Sequence, residues 1–202
     1  VKFSPDGKVL LTLGTPGVPG GGPNNFNAPS DVAIGNNGDI FITDGHTLDG
    51  NNRVMKFSKE GKLIKTWGKT GYGPGEFRTP HTIAIDSRGR VFVGDRSNNR
   101  IQIFDQDGKF LTMWTQFGRP SGIFFDQNDQ IFVADSESDN WESPGWEMGI
   151  RIGDAKTGWI KAFILYPWGD PRVVPGDGAE TVTVDREGNI YQAPDGNNKH
   201  VK

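Results

Sequence analysis

Several residue types and patterns are missing from this sequence of 202 residues, and each absence excludes a class of protein or site. There is no cysteine, which excludes disulfide bonds, thiolate metal sites and cysteine nucleophiles together. No apolar run approaches the roughly 18 residues that a membrane-spanning helix needs. No window of about 11 residues keeps apolar side chains at the i, i+3, i+4 spacing of an amphipathic helix. We therefore expect no membrane span and very little helix.

A large excess of charge is also missing. The chain has 22 basic and 25 acidic residues and a net charge of −3, so nucleic acid and anionic membrane surfaces are not expected as partners. Glycine and proline are frequent, with 29 and 13 residues, but the chain also carries 13 phenylalanines. A disordered linker does not contain that much aromatic surface, so most of the chain is expected to fold.

What the sequence does contain is an internal repeat with the period of a propeller blade. The clearest unit, residues 80–114, contains the runs PHTIAID, RVFVGD, IQIFD and KFLTMW with short polar turns between them. Similar units span residues 29–68 and 120–164, and partial units span residues 1–14 and 178–202. Four short apolar runs joined by Gly, Asp and Asn turns predict four strands per unit. Because one such sheet cannot bury its faces alone, the repeats predict an all-β propeller of four-stranded blades in a single domain.

The number of predicted strands does not fit a closed propeller. The units give 17 strands, about four and a quarter blades, and both residues 1–3 and residues 199–202 match the third strand of a unit. Two explanations stay open. The chain can be the C-terminal part of a larger propeller, with further residues before Val1, or its two partial units can pair into one blade with a surplus strand. We favour the first explanation, since the second duplicates a strand.

The long loops are predicted to lie on one face of the propeller. Strands alternate in direction, so the loops between second and third strands share a face with the links between blades. That set contains nearly every long loop, at residues 15–28, 45–52, 69–79, 136–148 and 165–177. Long loops on a rigid scaffold are where binding usually takes place, so this face is the predicted binding face.

Three kinds of side chain are expected on that face. His81 opens an innermost strand, and Ser30, Ser121 and Glu180 occupy the equivalent positions of other units. His46 and Arg96 follow the ends of second strands. The two largest loops carry aromatic residues that could line a pocket, at Trp141, Trp146, Tyr166 and Trp168. One of these loops is also acidic, with Glu137, Asp139, Glu142 and Glu147.

Purely structural roles are open for the same residues. His81 could be a channel-lining histidine bonded to its neighbours, His46 a solvated loop histidine, and Arg96 the partner of a nearby carboxylate. The Asn-Asn-Arg triplets that begin at Asn51 and Asn98 recur in two units, which indicates that they hold the loop between the second and third strands.

The units resemble NHL repeats, and the resemblance covers essentially the whole chain. Residues Asp95, Asn98, Asn99, Arg100 and Ile101 match the most distinctive part of the NHL pattern. The resemblance implies NHL-type blades, six of them in the full protein. About 100 residues would then be missing before Val1 at the family's blade length.

A narrower resemblance is carried by DGHTLDGNNRVMKFSKEGKLIKTWGKTGYGPGEFRTPHTIAI and by GDRSNNRIQIFD. These stretches are similar to the peptidyl-α-hydroxyglycine α-amidating lyases, especially to secreted bacterial lyase-like proteins. The resemblance implies zinc in the central channel, held by three histidines that open innermost strands. His81 matches one of them, Glu180 stands in place of another, and the remaining histidine would precede Val1. A His, His, Glu set is suited to zinc.

The same resemblance implies roles for residues around the metal. Arg96 matches an active-site arginine that would anchor the substrate carboxylate. The catalytic tyrosine of the lyases follows Asp-Gly, but here Asp44-Gly45 is followed by His46, which makes His46 the candidate base. Thr181 stands where the lyases have a calcium-binding aspartate, so calcium is not expected.

Two functions are therefore predicted for this chain. The first is a metal-dependent, lyase-like propeller that acts on a peptide-like α-hydroxyglycine (carbinolamide) substrate at the central channel. The alternative is a non-catalytic NHL propeller that binds a protein, a peptide or a glycan on its long-loop face. The resemblance implies an extracellular or periplasmic location for either.

Overall fold

The computed structural model describes residues 1–47, 49–166 and 178–194. Within these ranges the regular structure is β-strand except for one 3₁₀ turn, Arg96–Asn98. No helix among the described residues is long and apolar enough to cross a bilayer. The predicted all-β architecture of four-stranded blades is confirmed.

The described residues form sixteen strands in five antiparallel sheets. The strands are β1 (Lys2–Phe3), β2 (Val9–Leu11), β3 (Pro29–Ile34), β4 (Ile40–Asp44), β5 (Arg53–Phe57), β6 (Leu63–Trp67), β7 (Pro80–Ile85), β8 (Val91–Asp95), β9 (Arg100–Phe104), β10 (Phe110–Trp114), β11 (Pro120–Phe125), β12 (Gln130–Asp135), β13 (Gly149–Asp154), β14 (Ile160–Leu165), β15 (Ala179–Val184) and β16 (Ile190–Pro194).

Each complete sheet is a meander in which every strand pairs with the next strand along the chain. The three complete sheets span residues 29–67, 80–114 and 120–165. A two-stranded sheet precedes them (β1 and β2) and another follows them (β15 and β16). The seventeenth predicted strand, residues 199–202, lies outside the described residues.

The hydrophobic core lies between neighbouring sheets, because strands in the middle of a sheet bury both faces. On β8, Val91 and Val93 pack with Phe41 and Val54 of the preceding sheet, whereas Phe92 packs toward the following sheet. Alternate side chains of a strand point to opposite faces, so one central strand contributes to two cores. This packing stacks the sheets as successive blades.

The innermost strands β3, β7, β11 and β15 lie side by side along the inside of the stack. Contacts between them are close, since a Cβ added at Gly122 on β11 would lie 3.0 Å from the backbone oxygen of Glu180 on β15. Side chains at the first residues of these strands are therefore brought together at one end of the stack.

A buried aspartate at the end of the second strand of each complete blade ties the blade to the link that enters it. Asp95 accepts hydrogen bonds from the backbone N–H of Arg78, at 2.7 Å, and from Asn98 and Arg100, at 2.8 and 2.7 Å. Asp44 makes the equivalent bonds in the preceding blade. The predicted structural role of the two Asn-Asn-Arg triplets is therefore confirmed.

Candidate functional site at the inner strand ends

A register irregularity occurs at the second residue of every innermost strand. The pairing shifts across Ser30, His81, Ser121 and Glu180, the four positions that the sequence repeats make equivalent. Such bulges bend a strand and re-aim a side chain, and they are frequent beside functional sites. Here they help turn the side chains of His81 and Glu180 toward each other.

His46, His81 and Glu180 form one cluster at this end of the stack. The Nε2 atoms of the two histidines lie 3.0 Å apart, and Nε2 of His81 lies 2.9 Å from Oε1 of Glu180. All three residues can offer a ligand atom within 4.8 Å of the others. Sequence reasoning predicted His81 and Glu180 as ligands and His46 as a base, but not the contact between the two rings.

Ser121 fixes which nitrogen of His81 faces this cluster. Nδ1 of His81 lies 2.8 Å from the backbone oxygen of Ser121, and His81 is buried. A carbonyl oxygen only accepts hydrogen bonds, so Nδ1 must carry a hydrogen. In the neutral ring, Nε2 then presents its lone pair to the cluster, which is the state in which histidine binds a metal.

Ser136 orients the carboxylate of Glu180. Its buried hydroxyl donates to Oε2 of Glu180 at 2.5 Å and lies 2.7 Å from the hydroxyl of Ser121. Burial alone would raise the pKa of this carboxyl. The hydrogen bond and charge of His81 act with Ser136 to outweigh burial, and they lower the pKa of Glu180 to about 2. Glu180 is therefore an anion at neutral pH.

His46 reaches the cluster from the loop between β4 and β5. Gly45 and Asn52, the two ends of this loop, approach each other closely. A Cβ at Gly45 would lie 2.6 Å from the backbone nitrogen of Asn52, so only glycine fits there. The backbone N–H of His46 donates to Ala28 at 2.8 Å. The residue is exposed overall, but partial burial of its ring, followed by the charges of His81 and Arg96, lowers the pKa of the imidazole. The neutral ring is thereby favoured.

Arg96 lies beside the cluster but already has acidic partners. Its Nη1 is 3.4 Å from Glu137 and 3.7 Å from Glu180. Glu137 is in turn held by Arg119, whose Nε is 2.9 Å away. The sequence analysis did not identify Arg119 or Ser136, because neither matches a motif. Ser136 could have been found from its position directly after Asp135, where Arg96 follows Asp95.

The four aromatic residues that were predicted to line a pocket differ in their surroundings. Trp146 packs over the guanidinium of Arg151, with 4.7 Å between the ring centroid and Cζ, and Tyr166 is buried. Trp141 is 90 % exposed, while Trp168 lies outside the described residues. In the acidic loop, Asp139 caps the backbone N–H groups of Trp141 and Glu142, and the backbone oxygen of Glu147 accepts from Arg151.

The cluster fits a metal such as zinc by the chemistry of its donors. Two imidazole nitrogens and one carboxylate oxygen are a donor set found in catalytic zinc sites, which keep a fourth position open. The carbonyl and hydroxyl contacts of His81 and Glu180 are the outer-shell bonds that orient metal ligands.

Comparisons with known proteins agree with the fold and with the resemblance. Residues 77–104 match the family model of the NHL repeat, and residues 23–90 match a family model described as a 6-bladed beta-propeller. NHL repeat-containing protein 3 of Homo sapiens is 41% identical over 101 residues, which cover 48% of this chain and 28% of that protein. A probable peptidyl-alpha-hydroxyglycine alpha-amidating lyase of Caenorhabditis elegans is 37% identical over 94 residues, covering 45% and 26%.

Solved structures show the same fold at low sequence identity. Virginiamycin B lyase of Staphylococcus aureus superposes with a TM-score of 0.58 at 16% identity, over 82% of this chain and 48% of that one. The matched segment spans less than a third of the length of the two sequence relatives. The chain is thus a β-propeller chain that carries an NHL repeat and is similar both to NHL repeat-containing protein 3 and to the peptidyl-α-hydroxyglycine α-amidating lyases.

Proposed function

We propose that this chain carries the active site of a metal-dependent, lyase-like propeller that cleaves α-hydroxyglycine compounds. The convergence of His46, His81, Glu180 and Arg96 at one end of the innermost strands is the observation that carries the proposal. Their chemistry matches what the reaction needs, which is a site for a Lewis acid and a cation for a carboxylate. The similarity to amidating lyases supports the same reaction class.

The proposed reaction breaks the bond between the carbinol carbon and the amide nitrogen. The hydroxyl loses its proton as the C–O bond becomes the carbonyl of glyoxylate, and the amide nitrogen leaves with the C–N electron pair and gains a proton. Zinc, when bound by His81 and Glu180, would supply a Lewis acid for a substrate oxygen.

Arg96 is the proposed anchor for the substrate carboxylate. A guanidinium can hold a carboxylate through two parallel hydrogen bonds, which fixes the substrate in position and orientation. In the structure Nη1 of Arg96 faces Glu137 and Glu180, so a substrate carboxylate must share or replace one of these ion pairs. The sequence predicts His46 as the base, a role that requires its Nε2 to turn from His81 toward the substrate.

Release of glyoxylate from a synthetic benzoyl-α-hydroxyglycine tests this function in the purified full-length protein. We expect turnover that a chelator abolishes and added zinc restores. His81→Ala should abolish it, and Arg96→Met should chiefly raise KM, because it removes the carboxylate anchor. Lys59→Met changes an exposed residue at a turn between outer strands and serves as the control. Zinc-loaded protein that releases no glyoxylate would contradict the proposed reaction.

A non-catalytic binding propeller is the second candidate, and two observations favour it. Arg96 is already paired with acidic side chains, and Trp141 is almost fully exposed in a long loop of the predicted binding face. Absence of both glyoxylate release and bound metal would leave this second candidate, with a protein, peptide or glycan as its ligand.

A further inference from the structure

We infer that His46 is a metal ligand, so that His46, His81 and Glu180 form a three-ligand site for a divalent transition metal within this chain. The inference deepens the proposed function and rests on its metal site. It assigns His46 a role other than the base predicted from sequence, and it needs no ligand beyond these three residues.

The geometry of the three side chains is the first argument. The distances of 3.0 Å between the histidine Nε2 atoms and 2.9 Å from His81 to Glu180 bring three donor atoms around one point. Ligands at about 2.0–2.2 Å from a tetrahedral metal are separated by about 3.3–3.6 Å. The ligand atoms of all three residues lie within 4.8 Å of one another. Side-chain rotations that slightly lengthen the two contacts to His81 and draw His46 and Glu180 together would therefore admit the ion, with no movement of the strands.

The hydrogen atoms available to the cluster are the second argument. Nδ1 of His81 donates to Ser121, so one further hydrogen at most can sit on Nε2. That nitrogen approaches two partners within 3.0 Å, the ring of His46 and the carboxylate of Glu180. If Nε2 of His81 carries a hydrogen, it can donate to only one of these partners, and if it carries none, its single lone pair can accept from only one. A bound cation would accept a lone pair from all three ligand atoms at once, namely the two ring nitrogens and the carboxylate oxygen.

The surroundings hold each ligand in place, which is the third argument. His81 is fixed by the Ser121 carbonyl, Glu180 by the Ser136 hydroxyl, and His46 by its backbone bond to Ala28. The first two contacts limit the rotation of the His81 and Glu180 side chains before a metal arrives, and the third fixes the backbone from which the His46 ring extends. A solvated loop histidine with a purely structural role would not need its ring nitrogen aimed at His81.

The donor set selects the class of metal. Imidazole nitrogen suits zinc, copper, nickel and iron, whereas calcium takes six to eight oxygen ligands. The cluster supplies two nitrogens and a carboxylate, so we expect zinc or cobalt to bind and calcium not to bind.

Metal binding to the full-length protein, measured without substrate, tests the role of His46. Cobalt titration followed by visible absorption, and equilibrium dialysis with zinc, should give one tight site per chain. Loss of an outer-shell contact typically costs about 10–100-fold in metal affinity, so loss of a ligand in His46→Ala should cost about 100-fold or more. His46→Tyr should show the same loss, and the intense cobalt bands of a four-coordinate site should weaken.

Asp49→Asn is the matched control, because Asp49 is an exposed residue of the loop that carries His46. It should bind metal like the parent protein. Circular dichroism of the metal-free variants should be unchanged, since His46 is exposed. Parent-like metal affinity in His46→Ala would overturn the inference while leaving His81 and Glu180 as ligands of the proposed enzyme. Absence of metal from the parent protein would overturn the proposed function as well.

Discussion

At the residue scale, four positions with the same backbone geometry carry different chemistry. Ser30, His81, Ser121 and Glu180 all lie at the bulge of an innermost strand. The Ser30 hydroxyl donates to the backbone oxygen of Pro80 at 2.6 Å, and Ser121 contributes its carbonyl to His81. The serines thus connect neighbouring strands, while His81 and Glu180 provide the reactive atoms. The scaffold fixes the position of these side chains, and their identity decides what the site binds.

Ser136→Ala is expected to weaken metal binding although Ser136 is not a ligand. The hydroxyl holds Oε2 of Glu180, so its loss lets the carboxylate rotate away from His81. We expect metal affinity to fall about 10–100-fold, the usual cost of removing an outer-shell partner. The free energy of unfolding should fall by about 2 kcal/mol, because the hydroxyl also contacts Ser121 and each hydrogen bond typically contributes about 1 kcal/mol net. Equilibrium dialysis with zinc and urea unfolding measure the two effects.

Ser97→Ala is the control for that change. Ser97 donates to the hydroxyl of Thr79 at 3.0 Å, so its removal also breaks a hydroxyl–hydroxyl contact but leaves the carboxylate of Glu180 untouched. Zinc affinity should stay at the parent value. Equal losses of affinity in both variants would mean that Ser136 acts through general stability and not through Glu180.

The sequence predicts part of this site and misses the rest for a physical reason. Equivalent positions in the repeats placed His81 and Glu180 at the same end of two innermost strands, β7 and β15, which are separated by β11. The approach of His46 to His81 depends on the path of a loop that the other units do not share. Ser136 occupies the position that Arg96 occupies in another unit, so the repeat pattern does not identify it. Long-range side-chain contacts of this kind leave no local pattern in the sequence.

At the element scale, a buried ion pair joins the second and third strands of each complete blade to the link before it. In two blades the pair is Asp44 with Arg53 and Asp95 with Arg100, and the motif was visible in the sequence. In the third blade Arg151 pairs with Asp135, although it lies two residues further along its strand. Residues two apart share a face of a strand, so the contact survives the shift but the motif does not.

Asp95→Asn is expected to destabilise the fold strongly. Oδ2 of Asp95 accepts from Asn98, Arg100 and Gln102, and an amide cannot accept at both of its ends. Buried donors without partners cost about 1–3 kcal/mol each, so the free energy of unfolding should fall by at least about 2 kcal/mol. Urea unfolding followed by tryptophan fluorescence measures the loss.

Asp105→Asn provides the comparison, because this aspartate lies in a hairpin turn and accepts its hydrogen bonds at Oδ1. That atom accepts from the backbone of Asp107 and Lys109, and asparagine keeps the same oxygen. The free energy of unfolding should change by no more than about 0.5 kcal/mol. A similar small change in Asp95→Asn would show that the buried carboxylate is not needed for stability.

At the scale of the whole molecule, the first complete sheet differs from the others in its exposed inner face. Val32 of β3 is 55% exposed, whereas Ile83, at the equivalent position of β7, is 3% exposed because the preceding blade covers it. A groove of about 690 Å³ runs along this face, between the β1–β2 hairpin and the inner strands. The sheet beside this face has only the two strands β1 and β2 in the described residues, and these strands leave Val32 exposed.

Paired alanine substitutions test whether this face is covered in solution. Ile83→Ala in the 202-residue chain should lower the free energy of unfolding by about 2–5 kcal/mol, because it removes a buried side chain. Val32→Ala should change it by no more than about 0.5 kcal/mol if the face is open. Val32→Ala could instead lower the free energy of unfolding nearly as much as Ile83→Ala does. If this loss grows with protein concentration, a second copy of the chain covers the groove. A large cost independent of concentration would mean that another part of the same chain covers it, which would contradict the open inner face.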